Sequence, residues 1–256
     1  MKNLYLLLIG ATLLIVSCNK AKPGYTTPVI DPTNTYDNRA VGASAKDLLR
    51  GDKYTTIELE IDYTPKHKLP QETVDAAVAF LEKYCHKSGG IHVTQKEIPL
   101  QGNQLTIDNL NSIESLYRTK YADNSENGKS IAIYVLVTDG TYSQNDVLGL
   151  AYLNSSVAIF DGKISDNTGL GKADRTTVAT TVLNHEIGHL LGLVNSGTQM
   201  QTNHQDESHG KHCNNNQCLM YYTSQTTSVL GILLGGGDPS SLDANCEADL
   251  RANGGK

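Results

Sequence analysis

His185-Glu186-Ile187-Gly188-His189 places two imidazoles four residues apart with a carboxylate beside the first. Four residues are just over one helical turn, so on a helix both rings leave from one face and can bind a single Zn²⁺. Glu186 is then within reach of a water on that ion. The flanks Val182, Leu183, Leu190 and Leu191 are apolar, which argues against a solvated helical face. In a buried helix two histidines and a glutamate need partners, and a metal supplies them. A reactive zinc site also needs a third protein ligand and an open position. Five of the eight histidines fall between His185 and His212, so His204, His209 and His212, in a polar segment over residues 196–217, are the candidates.

The helix continues as Leu190-Leu191-Gly192, completing HExxHxxG, and here the chain resembles the metzincin clan of zinc endopeptidases. In that clan the Gly lets the chain leave the helix sharply toward the metal, and the third ligand usually lies three residues further on. That position is Asn195, a departure, since Asn is a rare zinc ligand. Downstream, His212-Cys213-Asn214-Asn215-Asn216-Gln217-Cys218-Leu219-Met220-Tyr221 resembles the stretch of matrixins and archaemetzincins that runs from the third ligand to the Met-turn. The eight-residue step from His to Met is the same, so the resemblance gives His212 the ligand role ahead of His204 and His209. It implies an insertion after Gly192, as in leishmanolysin-like members.

The same resemblance implies that Met220 forms the hydrophobic turn beneath the zinc, although a Met is more often plain core filler. It places Tyr222 where some metzincins stabilise the oxyanion, while Tyr221 packs. The fold implied is α/β (α+β): a metzincin-like domain with a mixed twisted sheet, a long active-site helix and a small C-terminal subdomain.

The elements needed to position these residues are readable upstream. Ile57, Leu59, Ile61 and Tyr63 alternate with polar residues, the period of a half-buried strand. Val74, Ala77, Val78, Leu81 and Tyr84 recur at helical spacing after Pro70. Residues 91–98 suggest a second strand, 107–121 a weaker helix, 131–137 a buried strand, and 148–160 one or two strands turning at Asn154-Ser155. Asp174 is a good cap for the helix carrying the HExxH. Residues 242–252 read as a short helix containing Cys246. No internal repeat divides the chain, so residues 51–256 are expected to form one domain.

Ahead of it, Lys2 and Asn3 precede an apolar run from Leu4 to Val16 that ends at Ile15-Val16-Ser17-Cys18. The run is too short for a permanent membrane span and resembles a bacterial lipoprotein signal over residues 1–17, with Cys18 as the acylated residue. Residues 18–50, with Pro23, Pro28 and Pro32 and few apolar positions, read as a flexible tether. The expected location is the bacterial cell envelope, lipid-anchored, on the periplasmic or surface face of the outer membrane.

Setting Cys18 aside leaves Cys85, Cys213, Cys218 and Cys246. An even number in an exported chain favours two disulfides, and four cysteines allow three pairings. Archaemetzincins use cysteines in this region for a second zinc site, but no Cys-x-x-Cys follows here. The expectation is therefore a Cys213–Cys218 clip and, because the first and last helices pack together in metzincins, a Cys85–Cys246 bond.

With 27 Asp and Glu against 21 scattered Lys and Arg, a nucleic-acid partner is not expected. The function implied is a zinc-dependent endopeptidase, a monomer acting on peptide or protein substrates, with Glu186 as general base on a zinc-bound water. Two alternatives stand beside it. One is a non-catalytic envelope lipoprotein that binds a protein or glycan through a decayed metzincin fold, with Asn195 marking the decay. The other is a thermolysin-like hydrolase taking Glu207 or Glu247 as third ligand.

Overall fold

A computed structural model describes residues 36–256 except 103, 126–127, 145, 234–237 and 239; Cys18 and the expected signal lie outside them. The elements in chain order are α1 (Ala45–Leu49), β1 (Thr56–Tyr63), α2 (Gln71–Tyr84), β2 (Gly90–Glu97), β3 (Gln104–Leu105), α3 (Ile107–Tyr117), β4 (Ser130–Val137), β5 (Thr141–Tyr142), β6 (Gly149–Leu153), β7 (Ser156–Ile159), α4 (Asp161–Asn167) and α5 (Arg175–Leu190). A 3₁₀ turn at Tyr222–Gln225, α6 (Val229–Ile232) and α7 (Ala244–Ala252) follow. Among the described residues no helix is long and apolar enough to cross a membrane.

β2, β1, β4, β7 and β6 form one sheet in that order, parallel except for β6, which runs antiparallel to β7 at the edge. Side chains alternate across a strand, and β4 shows both uses of that rule. Its Ile131, Ile133, Val135 and Val137 join α2 and α5 in the larger core. Tyr134 and Leu136 point the other way into a second cluster with Leu110 and Ile113 of α3. Helices on both faces explain why β4 reads as a continuous apolar run. This is the mixed α/β arrangement expected, with the chain after α5 forming the smaller C-terminal portion.

The folded body starts earlier than the sequence reading placed it. α1 lies in the segment read as tether, yet Leu48 and Leu49 are fully buried in the main core. Five residues with a single Leu-Leu pair give no period to detect. Just before it, Asn154, at the β6–β7 turn, bonds Arg39 N through Oδ1 (2.9 Å) and donates to Tyr36 O (3.0 Å) and Ser44 Oγ (2.6 Å).

β1 carries polar residues on its second face. Glu60 is satisfied there by Thr119 N, Thr119 Oγ1 and Lys120 N. Asp62 has only a 3.3 Å bond from Tyr134 Oη and Lys96 Nζ at 3.4 Å. Burial pushes its carboxyl up to about 6 against the opposing pull of Lys96. The native state thus holds a proton that the unfolded chain has lost between about pH 4 and pH 6, and stability falls as pH rises through that window. At about 1.4 kcal/mol per pH unit, Asp62→Asn is expected to be more stable than wild type above pH 6 by up to about 3 kcal/mol. The two denaturation curves should converge below pH 4, and a variant less stable at pH 7 would remove this reading of Asp62.

Candidate metal centre

α5 begins where Asp174 accepts from Thr177 N (2.9 Å), and every residue from Val178 to Leu190 is buried. A helix with no solvated face keeps both imidazoles and the carboxylate of the HExxH away from water. It ends at Gly192, whose φ of +84° suits glycine, and a Cβ there would collide with Thr198 and Ala45.

The imidazoles of His185, His189 and His212 converge, with one ligand nitrogen from each within 4.8 Å of the others. His185 Nε2 and His189 Nε2 are 3.1 Å apart. His185 donates Nδ1–H to Leu219 O (2.7 Å), and His212 donates Nδ1–H to His209 O (2.9 Å). Fixing Nδ1 as the donor leaves the Nε2 lone pairs for a metal. Burial pushes His185 down to about 3 and lowers His189 and His212 as well, so all three are neutral at pH 7. His212 Nε2 is buried without a hydrogen-bond partner. Three neutral imidazoles around an orphaned nitrogen fit a divalent ion of the zinc type, with room for a non-protein ligand.

Glu186 is fully buried beside them. Ala151 N–H of β6 donates to its Oε2 (2.8 Å), and Oε1 has no partner. Burial pushes the carboxyl up to about 8, with the Ala151 bond opposing. β6 approaches this closely because it presents Gly149, where a Cβ would press on Val182 and Glu186. A cleft of about 470 Å³ opens onto Glu186, His189 and His212. Its apolar lining includes Val41, Leu150 and Ala151, and its polar lining Asn195, Lys211 and Gln225.

The other sequence candidates fall as follows. Met220 is fully buried against α5, where a Cβ on Gly188 would run into its sulfur. Tyr222 stacks face to face on His209 (centroids 3.5 Å apart, 5° between planes) and is not among the residues lining the cleft. His209 pairs with Asp206 at 2.6 Å. Asn195 lines the cleft at a φ of +62°, and its side-chain amide lies 3.5 Å from Gln205 Oε1. His204 is buried elsewhere, 2.8 Å from Asp249 Oδ2 and 3.4 Å from Cys213 Sγ. Glu247 pairs with Lys83 and Tyr84, and Glu207 is exposed.

The disulfide expectation is corrected. Cys85, Cys213, Cys218 and Cys246 are all free and buried. Glu247 ties α7 to α2, but on a helix the preceding residue points about 100° away, and Cys246 faces Cys218 (Sγ–Sγ 3.6 Å) rather than Cys85. Cys213, Cys218, Asp243 and Cys246 offer four ligand atoms within 4.8 Å, a second group able to hold a metal. Donors from Cys213 and Cys246, with Met220 N and Asp243 N, favour the Cys218 thiolate. The sequence signal was Asp243-x-x-Cys246, in which a carboxylate takes the place of the first thiol of a Cys-x-x-Cys.

The sequence profile of metallo-peptidase family M12 matches residues 71–230. Among solved structures, an archaemetzincin from Methanopyrus kandleri is similar at 15% identity and a TM-score of 0.50, over 79% of this chain and 96% of that one. Metalloproteinase-II from Bacteroides fragilis is similar at 16% identity and a TM-score of 0.41, over 86% of this chain and 58% of that one. No protein of curated function matches the sequence.

Proposed function

The chain belongs to metallo-peptidase family M12, and from that premise we propose that it is a zinc endopeptidase whose metal is held by His185, His189 and His212. The observation that carries this is the buried trio of neutral imidazoles beside a carboxylate with one oxygen unclaimed. A bound zinc supplies Lewis-acid polarisation of the scissile carbonyl and lowers the pKa of a water.

The chain's own groups do the rest. Ala151 N–H anchors Glu186 Oε2 and leaves Oε1 unclaimed to act as the general base for the attacking water. Burial keeps this carboxylate basic, and the same oxygen then delivers the proton to the departing nitrogen. β6 is an edge strand whose Leu150 and Ala151 line the cleft, so an extended peptide is placed by strand addition along it. Unfolded segments and loops suit that mode.

We further propose that the Cys213, Cys218, Asp243 and Cys246 group holds a structural metal, and that residues 1–17 direct export with lipidation at Cys18. The lipid on Cys18 would then hold a monomeric domain at the cell envelope. The decayed-site alternative loses its main support, because Asn195 is not needed as a ligand once His212 joins the group.

Hydrolysis of an unfolded protein such as casein by the purified chain should stop on chelation and return with zinc. Cleavage that continues in excess chelator would refute the assignment.

A further inference from the structure

The expected oxyanion group, Tyr222, is stacked on His209, and another residue of the same turn lines the cleft with the histidines. Gln225 closes the same 3₁₀ turn and lines the cleft with Glu186, His189 and His212. Its backbone is fixed, since its carbonyl accepts from Leu148 N (2.8 Å) and the adjacent Thr226 bridges Val147. These contacts pin Gln225 to the residues leading into β6, the strand whose Ala151 N–H holds Glu186. Base and carboxamide are therefore set by one strand, a shared frame of the kind that precise catalytic geometry needs.

Gln225 shares the wall of the cleft with His189, His212 and Glu186. It does not satisfy His212 Nε2, which stays without a partner. A primary amide has two donors and one acceptor and is neutral at every working pH.

We propose that Gln225 is a catalytic residue that donates a carboxamide N–H to the scissile carbonyl oxygen as negative charge develops on it. The role rests on the peptidase reading above. As the water oxygen bonds to the carbonyl carbon, its proton passes to Glu186 and the C=O π pair moves onto the oxygen. Gln225 stabilises that charge by hydrogen bonding without giving up a proton. When the pair returns, the C–N bond breaks and Glu186 protonates the nitrogen.

The test compares Gln225→Ala, the isosteric Gln225→Glu and Tyr222→Phe with wild type. It reads kcat and KM on a peptide substrate, zinc content, and affinity for a phosphonamidate peptide, a tetrahedral anion mimic. Loss of one oxyanion donor costs about 10²- to 10³-fold in kcat. Gln225→Ala is expected to show that loss with KM little changed, full zinc content, and phosphonamidate affinity reduced by a similar factor. Gln225→Glu, which keeps the shape and lacks the donor, should behave alike. A loss confined to Tyr222→Phe, or zinc lost from both Gln225 variants, overturns the proposal and leaves the peptidase reading intact. A zinc-loaded wild type that neither cleaves peptides nor binds the phosphonamidate overturns both.

Discussion

Glu186→Gln is expected to keep the wild-type metal content and to lose peptide hydrolysis, with kcat lower by about 10²- to 10⁴-fold. The replacement preserves shape and the Oε acceptor for Ala151 N–H, so α5 and β6 should stay in place. It removes only the ability to take a proton at the oxygen that has no partner. Because Glu186 contributes no atom to the histidine group, metal binding has no reason to fall. The loss should appear in kcat rather than KM, the pattern of an interaction made in the transition state. Steady-state kinetics beside elemental analysis separate the cases: hydrolysis at the wild-type rate denies Glu186 its role, and loss of metal makes it a ligand.

Cys246→Ser should remove about one metal equivalent and lower folding stability by several kcal/mol. Structural zinc supplies about 10–16 kcal/mol of folding free energy in the smallest zinc domains, and three buried thiols with the half-buried Asp243 carboxylate, drawn from the loop and the start of α7, would tie the C-terminal portion together. The effect should reach the histidines. Cys213 follows His212 directly, and Leu219, whose carbonyl fixes His185 Nδ1, sits between Cys218 and Met220. Thermal denaturation with and without chelator, together with non-reducing mass analysis, provides the check. A Cys218–Cys246 disulfide that preserves stability in chelator would restore the crosslink reading and remove the second metal.

Where the sequence spoke clearly, a period or a cap made it do so. α2 is framed by Pro70 and an apolar stripe, β4 by an unbroken apolar run, and α5 by the Asp174 cap. α4 is not legible in the sequence, because Asp161-Gly162, just past β7, has the composition of a turn. The pair β3 and β5 has only two residues per strand, too few for any alternation. Among the histidines, the eight-residue step to Met220 singled out His212, which the structure brings to His185 and His189, while His204 and His209 find carboxylates instead.

The cysteines were misread because pairing and shared ligation look alike in sequence. The two are told apart by Asp243, 25 residues beyond Cys218, arriving beside the thiols. Gln225 carries no sequence signal, since a glutamine after a Tyr-Thr-Ser run is ordinary until the Val147–Thr226 bridge places it at the cleft.

The most direct measurement is zinc per chain for the purified protein beside His212→Ala, with hydrolysis read on the same samples. Two sites predict about two zinc ions in the wild type, and about one with no hydrolysis in His212→Ala. A wild type without zinc, or His212→Ala keeping both its zinc and its activity, would contradict the account.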